Sequence, residues 1–272
     1  MAVNFNNAAE AKHVCYLAGT GGGKTTAVKL LNLVGDQVAI FDLYGDYQFD
    51  GRKKSPFNGL GGRTVYHFNK RSDFARAFTQ AWSSGKKFVL AYQPTFSPIL
   101  KGSQLKDARV AELHWFGQLM WTAADGNREL HVIIEELAKL ASTAGKDETI
   151  IGELATGGRK FGLVLHTIFQ RSQEVPKTIW NNSPRKVLGA QESTHDAKLI
   201  ANELDAELSD VKRLSQLNER FKKQRLYYLF KSGGGIGNIA PYYICTDNKN
   251  KYFGHKYEIT FDELRKIEVN TL

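Results

Sequence analysis

The chain has 272 residues, a formal net charge of +9 at pH 7 and only two cysteines, Cys15 and Cys245. That length holds one large α/β domain or two small ones, and an apolar share of 42% predicts a packed core rather than disorder. Two cysteines exclude a disulfide framework or a zinc site of their own. No apolar run approaches the roughly 20 residues that span a bilayer, and the polar start lacks the regions of a signal peptide. A reducing cytosol is the expected setting. The positive charge favours a polyanion such as nucleic acid, although lysines scattered over a soluble basic protein give the same sum.

Residues 13–17 read as a short buried strand, and Cys15 within it as a small apolar residue. The next run is Ala18-Gly19-Thr20-Gly21-Gly22-Gly23-Lys24-Thr25-Thr26. Residues 27–34 then read as a helix with Val28, Leu31 and Val34 on one face. Strand, glycine loop and helix form the context of a phosphate-binding loop. Glycines let backbone N–H groups close around phosphate oxygens, and the helix start adds partial positive charge. Lys24 supplies a full charge for the distal phosphates, and the Thr25 hydroxyl suits Mg²⁺. The usual pattern opens with glycine where this chain has Ala18, a change that ordinary β backbone tolerates. The expected nucleotide-binding set is Gly19, Thr20, Gly21, Gly22, Gly23, Lys24, Thr25 and Thr26, with ATP and Mg²⁺ as cofactors.

Further along, residues 37–41 read as a strand ending at Asp42, and 63–68 as a short alternating strand. Residues 72–82 read as a helix capped by Ser72. A strand over 88–92 stops at Pro94, a loop covers 95–104, and a helix over 105–124 ends at Gly126. Its Trp115, Phe116 and Trp121 read as packing groups. Residues 131–134 form an apolar strand closed by two carboxylates, Glu135 and Glu136. Successive residues at a strand end point in different directions, so one acid suits a metal and its neighbour suits the attacking water. Glu135 takes the metal role beside Thr25, and Glu136 the role of base. A strand over 161–169 ends at Gln170 and Arg171; if it lies between the other two, Gln170 meets the γ-phosphate or the lytic water. Residues 186–189 form a strand and 194–204 an amphipathic helix. Residues 226–230 and 242–245 pair as a hairpin around the glycine cluster at Ser232 to Gly235, which lacks a following lysine and helix and so reads as a turn. The fold class is α/β with a mainly parallel sheet.

Four stretches together resemble the HerA/FtsK superfamily of DNA-pumping ATPases. They are the glycine loop, the segment Ile40-Phe41-Asp42-Leu43-Tyr44-Gly45-Asp46-Tyr47, the Glu135-Glu136 strand, and Gly158-Arg159-Lys160-Phe161-Gly162 continuing through Phe169-Gln170-Arg171-Ser172-Gln173-Glu174-Val175-Pro176-Lys177. Asn181-Asn182 and His195-Asp196-Ala197 continue the likeness, which spans about residues 14–204. The compact size looks most like the packaging ATPases of membrane-containing icosahedral phages, of corticovirus or tectivirus type. The resemblance implies a RecA-like P-loop core with helices on both faces, over 1–204, and a C-terminal hairpin extension packed on it, over 205–272. It adds Asp42 to the nucleotide set and makes Arg159 the candidate finger for a neighbouring subunit's γ-phosphate, with Arg171 as the alternate. It further implies a ring of subunits moving double-stranded DNA into a procapsid. Partners would lie at the capsid vertex or among membrane-associated viral proteins, in the host cytoplasm and the virion. Candidate DNA contacts are Arg52-Lys53-Lys54, Lys139, Lys146 and Lys222-Lys223-Arg225.

Three other readings stay open. One is a relative serving DNA transfer or filament extrusion, for which a membrane anchor is the usual companion. A second is a small-molecule phosphotransferase, which needs an arginine-lined lid. The third is a nucleotide switch that binds without turnover.

Overall fold

The computed structural model describes residues 3–49, 55–137, 148–235 and 237–269. A ten-stranded sheet runs through it, formed by β1 (Val14–Leu17), β2 (Gln37–Phe41), β3 (Tyr66–Phe68), β4 (Phe88–Tyr92), β5 (Leu130–Ile134), β6 (Leu163–Phe169), β7 (Arg185–Leu188), β8 (Arg225–Lys231), β9 (Ile239–Cys245) and β10 (Lys256–Glu258). The spatial order is β10-β9-β8-β7-β1-β6-β5-β2-β4-β3. Strands β1 to β7 are mutually parallel, whereas β8, β9 and β10 add antiparallel to the β7 side. Strands β1, β2, β4, β5 and β6 are buried along their whole length, as expected where both faces of a parallel sheet are covered.

The helices are α1 (Lys24–Leu30), α2 (Arg71–Ser84), α3 (Gly102–Ala123), α4 (Ile150–Thr156), α5 (Lys177–Asn182), α6 (Thr194–Leu204), α7 (Leu208–Phe221) and α8 (Phe261–Lys266). Alternation along β1 divides the core. Cys15 and Leu17 face a cluster that includes Phe74 and Phe78 of α2, Phe116 and Met120 of α3, Ile200 of α6 and Leu214 of α7. Val14 and Tyr16 face the opposite cluster, built with Ala27 and Val28 of α1 and with Tyr47, Leu60 and Val65 from the segment after β2. Among the described residues no helix is long and apolar enough to cross a membrane.

Several sequence expectations need correction. Helix α1 ends at Leu30 rather than 34, because Asn32 adopts a left-handed φ of 57° that asparagine tolerates and a helix does not. Ser72 lies inside α2, whose first turn begins at Arg71 after Lys70 and has no side-chain cap. The strand expected from residue 63 begins at Tyr66; Arg63 instead forms an isolated bridge with Leu60. Helix α7 was not anticipated, although Val211, Leu214 and Leu217 repeat at helical spacing and are fully buried. The hairpin of β8 and β9 turns at the glycine cluster as expected.

Candidate nucleotide site

Register places the predicted groups side by side. Strand β6 lies between β1 and β5, with Leu17 opposite Phe169 and Ile134 opposite Thr167. The loop after β1, Gln170 after β6 and the acids after β5 therefore leave the sheet at one edge. In open α/β sheets ligands bind outside these carboxyl ends.

The glycine loop follows β1 directly, and Ala18 stays outside the left-handed region. Lys24, Thr25 and Thr26 make the first residues of α1, and Gly23 before them has a φ of 86°. A Cβ on Gly23 would lie 2.3 Å from the Tyr228 hydroxyl, which itself donates to the Gly23 carbonyl at 2.9 Å. This position thus requires glycine twice, for its backbone and for its neighbour. Lys24 Nζ donates to the carbonyls of Ala18 (2.9 Å) and Gly19 (3.1 Å), closing the loop on itself. Burial lowers the Lys24 pKa, while Glu136, Glu135, Glu192 and Glu174 oppose that shift.

Glu135 is buried beneath the loop, and its Oε1 accepts from the Tyr47 hydroxyl at 2.5 Å and from Thr25 Oγ1 at 3.5 Å. Burial raises its pKa to about 7, against the lowering effect of the Tyr47 hydrogen bond. Asp42, beside it at the end of β2, is completely buried. Its Oδ1 accepts from the backbone N–H groups of Gly45 (2.9 Å) and Asp46 (2.8 Å), and its Oδ2 from that of Tyr47 (3.2 Å). Asp42 therefore shapes the turn that delivers Tyr47 to Glu135. Burial raises its pKa, and these backbone donors oppose the rise.

Glu136 adopts a left-handed φ of 53°, a conformation that a glutamate enters at a cost. Its Oε1 accepts from Gln170 Nε2 at 2.7 Å. The two arginines lie at opposite ends of the sheet. Arg171 follows Gln170 at the loop edge and is exposed. Arg159 precedes β6 at the far edge, where its Nη1 donates to the Ala9 carbonyl at 2.5 Å.

Three contributors escaped sequence reasoning as site groups. Tyr47 closes the segment that opens at Ile40, but nothing local in the sequence marks its hydroxyl as a partner of Glu135. Tyr228 comes from β8, more than 200 residues along the chain from the carbonyl it holds. Glu192, whose Oε1 accepts from the Thr20 N–H at 2.5 Å, follows β7 without any recognisable pattern. Of the candidate DNA contacts, Arg52-Lys53-Lys54, Lys139 and Lys146 lie outside the described residues, whereas Lys222, Lys223 and Arg225 are exposed at the α7–β8 turn.

No family model matches the chain. It is 33% identical to protein P9 of Pseudoalteromonas phage PM2 over 118 residues, which are 43% of this chain and 52% of that protein. The match thus spans about half the length of that relative. Among solved structures, the genome packaging NTPase B204 of Sulfolobus turreted icosahedral virus 2, in complex with sulfate, superposes with a TM-score of 0.56 at 15% identity, covering 86% of this chain and 96% of that one. The same NTPase in complex with ATP-γ-S gives a TM-score of 0.54 at 15% identity, covering 84% and 95%. The plasmid coupling protein TrwB, with a non-hydrolysable ATP analogue, gives 0.54 at 14% identity, covering 93% and 90%. The chain is a homologue of protein P9 over the matched segment, and its α/β fold with a mainly parallel sheet is shared with B204 and TrwB.

Proposed function

We propose that this protein is a Mg²⁺-dependent ATPase that translocates double-stranded DNA during viral genome packaging. The observation that carries the reading is the Gln170–Glu136 hydrogen bond at the edge that also bears the Lys24 loop. A carboxylate on a left-handed backbone, with its side chain bonded to the amide that follows the neighbouring strand, suits a base that accepts a proton from water. Lys24, now bonded to two carbonyls of its own loop, would exchange them for phosphate oxygens.

The donor set suits Mg²⁺. Thr25 and the buried Glu135 carboxyl offer oxygen ligands within 3.5 Å of each other, and this ion commonly takes one or two protein oxygens plus phosphate and water. When bound it would neutralise charge building up on the phosphates. Tyr47 keeps Glu135 in place for that role.

The packaging assignment is supported by the fold shared with B204, whose name states genome packaging, and by homology to a phage protein. It places the chain in the host cytoplasm and the virion, with capsid-vertex or membrane-associated viral proteins as partners. In the proposed ring, Arg159 faces away from its own nucleotide and serves the neighbour, once its bond to Ala9 is released; Arg171 is the alternate. The proposed division is a core over 1–204 and an extension over 205–272 whose strands lengthen the same sheet.

The test is ATPase activity with and without linear double-stranded DNA, for the native chain, Arg159→Ala, Arg171→Ala and mixtures of each with native. The motor reading expects stimulation by DNA, and one of the two variants should depress mixtures more than in proportion to its share. Full activity in dilute protein, indifferent to DNA and simply diluted by both variants, would contradict it.

A further inference from the structure

The glycine loop already holds an anion of the protein's own. After β7, residues 189–193 run along the loop as a wall. The Gly19 N–H donates to the Ala190 carbonyl at 2.8 Å, and a Cβ on Gly189 would lie 2.5 Å from the Gly22 carbonyl oxygen. Gln191 Nε2 donates to the carbonyls of Leu17 (3.4 Å) and Gly189 (3.0 Å). Ser215 of α7 fixes the wall from behind. Its Oγ accepts from Gln191 N and donates to Gln191 O, both at 2.9 Å.

At the end of this wall Glu192 turns into the loop. Its Oε1 takes the Thr20 N–H, and a Cβ on Gly19 would come within 2.5 Å of its Cγ. Gly19 therefore leaves the space that the Glu192 side chain fills. The next residue, Ser193, caps α6 by accepting from the Asp196 N–H, so the base of Glu192 is not free to drift. The Glu192 charge is also close enough to be felt by Lys24.

Resting on the reading of this loop as a nucleoside-triphosphate site, we propose that Glu192 is a resident carboxylate that competes with incoming phosphates for the loop and thereby sets its affinity for nucleotide. A phosphate oxygen that claims the Thr20 N–H must displace the carboxylate, and the two anions repel at short range. A hydrogen-bonded chain ties the residue after Glu192 to the β6–α5 connection. Ser193 Oγ donates to Asp196 Oδ2 at 2.6 Å, and Ser172, two residues beyond Gln170, donates to Asp196 Oδ1.

The experiment is titration of ATP and AMP into the full chain by calorimetry, comparing native, Glu192→Gln, Glu192→Asp and Lys24→Ala. Removing the charge while keeping the shape should tighten ATP about tenfold in Glu192→Gln and leave AMP within about twofold, because AMP lacks the distal phosphates. Glu192→Asp keeps the charge but draws it back by one methylene; about threefold tighter ATP binding is expected, which keeps the test open should the glutamine variant not fold. Equal or weaker ATP binding in the folded Glu192 variants, with Lys24→Ala still losing ATP, would overturn the proposal alone. Native and Lys24→Ala binding ATP alike would instead remove the nucleotide reading on which it rests.

Discussion

The two ends of the parallel strands are built on opposite terms. At the amino end, polar groups are paired in sequence. Lys12 Nζ meets Glu129 Oε1 at 2.6 Å, Glu129 Oε2 meets His131 Nε2 at 3.3 Å, His131 Nδ1 meets His166 Nε2 at 2.9 Å, and His166 Nδ1 meets the Tyr16 hydroxyl at 3.2 Å. Burial holds the His166 imidazole well below its ordinary pKa, so it stays neutral within the chain. At the carboxyl end, by contrast, a buried acid is driven toward neutrality, a second acid takes a left-handed backbone, and a lysine has only carbonyls for partners. The chain from Lys12 to Tyr16 is paired link by link. The carboxyl end keeps charge and backbone strain that, in the proposed function, a polyphosphate and a cation would relieve.

Substitutions at the two ends should therefore act on different quantities. Lys24→Ala removes a charge-assisted partner for phosphate and should weaken ATP about a hundredfold with little change in thermal stability; a large fall in Tm instead would make Lys24 a structural group. Glu135→Gln should do the reverse in nucleotide-free protein. Because the folded pKa of Glu135 is raised to about 7 from 4.5, the folded state holds more protons between those values, and its stability falls as pH rises through that window. The glutamine variant escapes this loss. It should match native protein near pH 4 and exceed it at pH 8 by roughly 3 kcal/mol in denaturant unfolding. Equal unfolding curves at pH 8 would show that Glu135 ionises without strain. His166→Leu, within the paired chain, strands His131 Nδ1 and the Tyr16 hydroxyl; about 1–2 kcal/mol of stability should be lost while ATP affinity in the folded fraction is kept. A selective loss of ATP binding there would erase the distinction between the ends.

The sequence made legible what is local. A strand, a glycine loop and a helix are contiguous, so the Lys24 loop could be read from spacing, and two acids closing an apolar strand could be read the same way. The Gln170 role requires β6 between β1 and β5, and the sheet order meets that condition. What stayed hidden depends on distant pairing. Tyr228 reaches Gly23 only because β8 joins the sheet beside β7, and Glu192 reaches Thr20 only because β7 pairs with β1. The resemblance puts Asp42 in the nucleotide set, and in the fold its oxygens accept from the turn that carries Tyr47. Residue type identified the acid; only the turn reveals which neighbour it serves.

In the proposed motor, Glu136 meets water at the end of a triphosphate held by Lys24. The direct measurement is single-turnover hydrolysis of radiolabelled ATP by native protein and Glu136→Gln, with bound nucleotide recovered and identified. Native protein should yield ADP, while the variant should retain intact ATP with its turnover reduced about 10²–10⁴-fold and its affinity preserved. Equal hydrolysis by both, or a folded variant that no longer binds ATP, would contradict it.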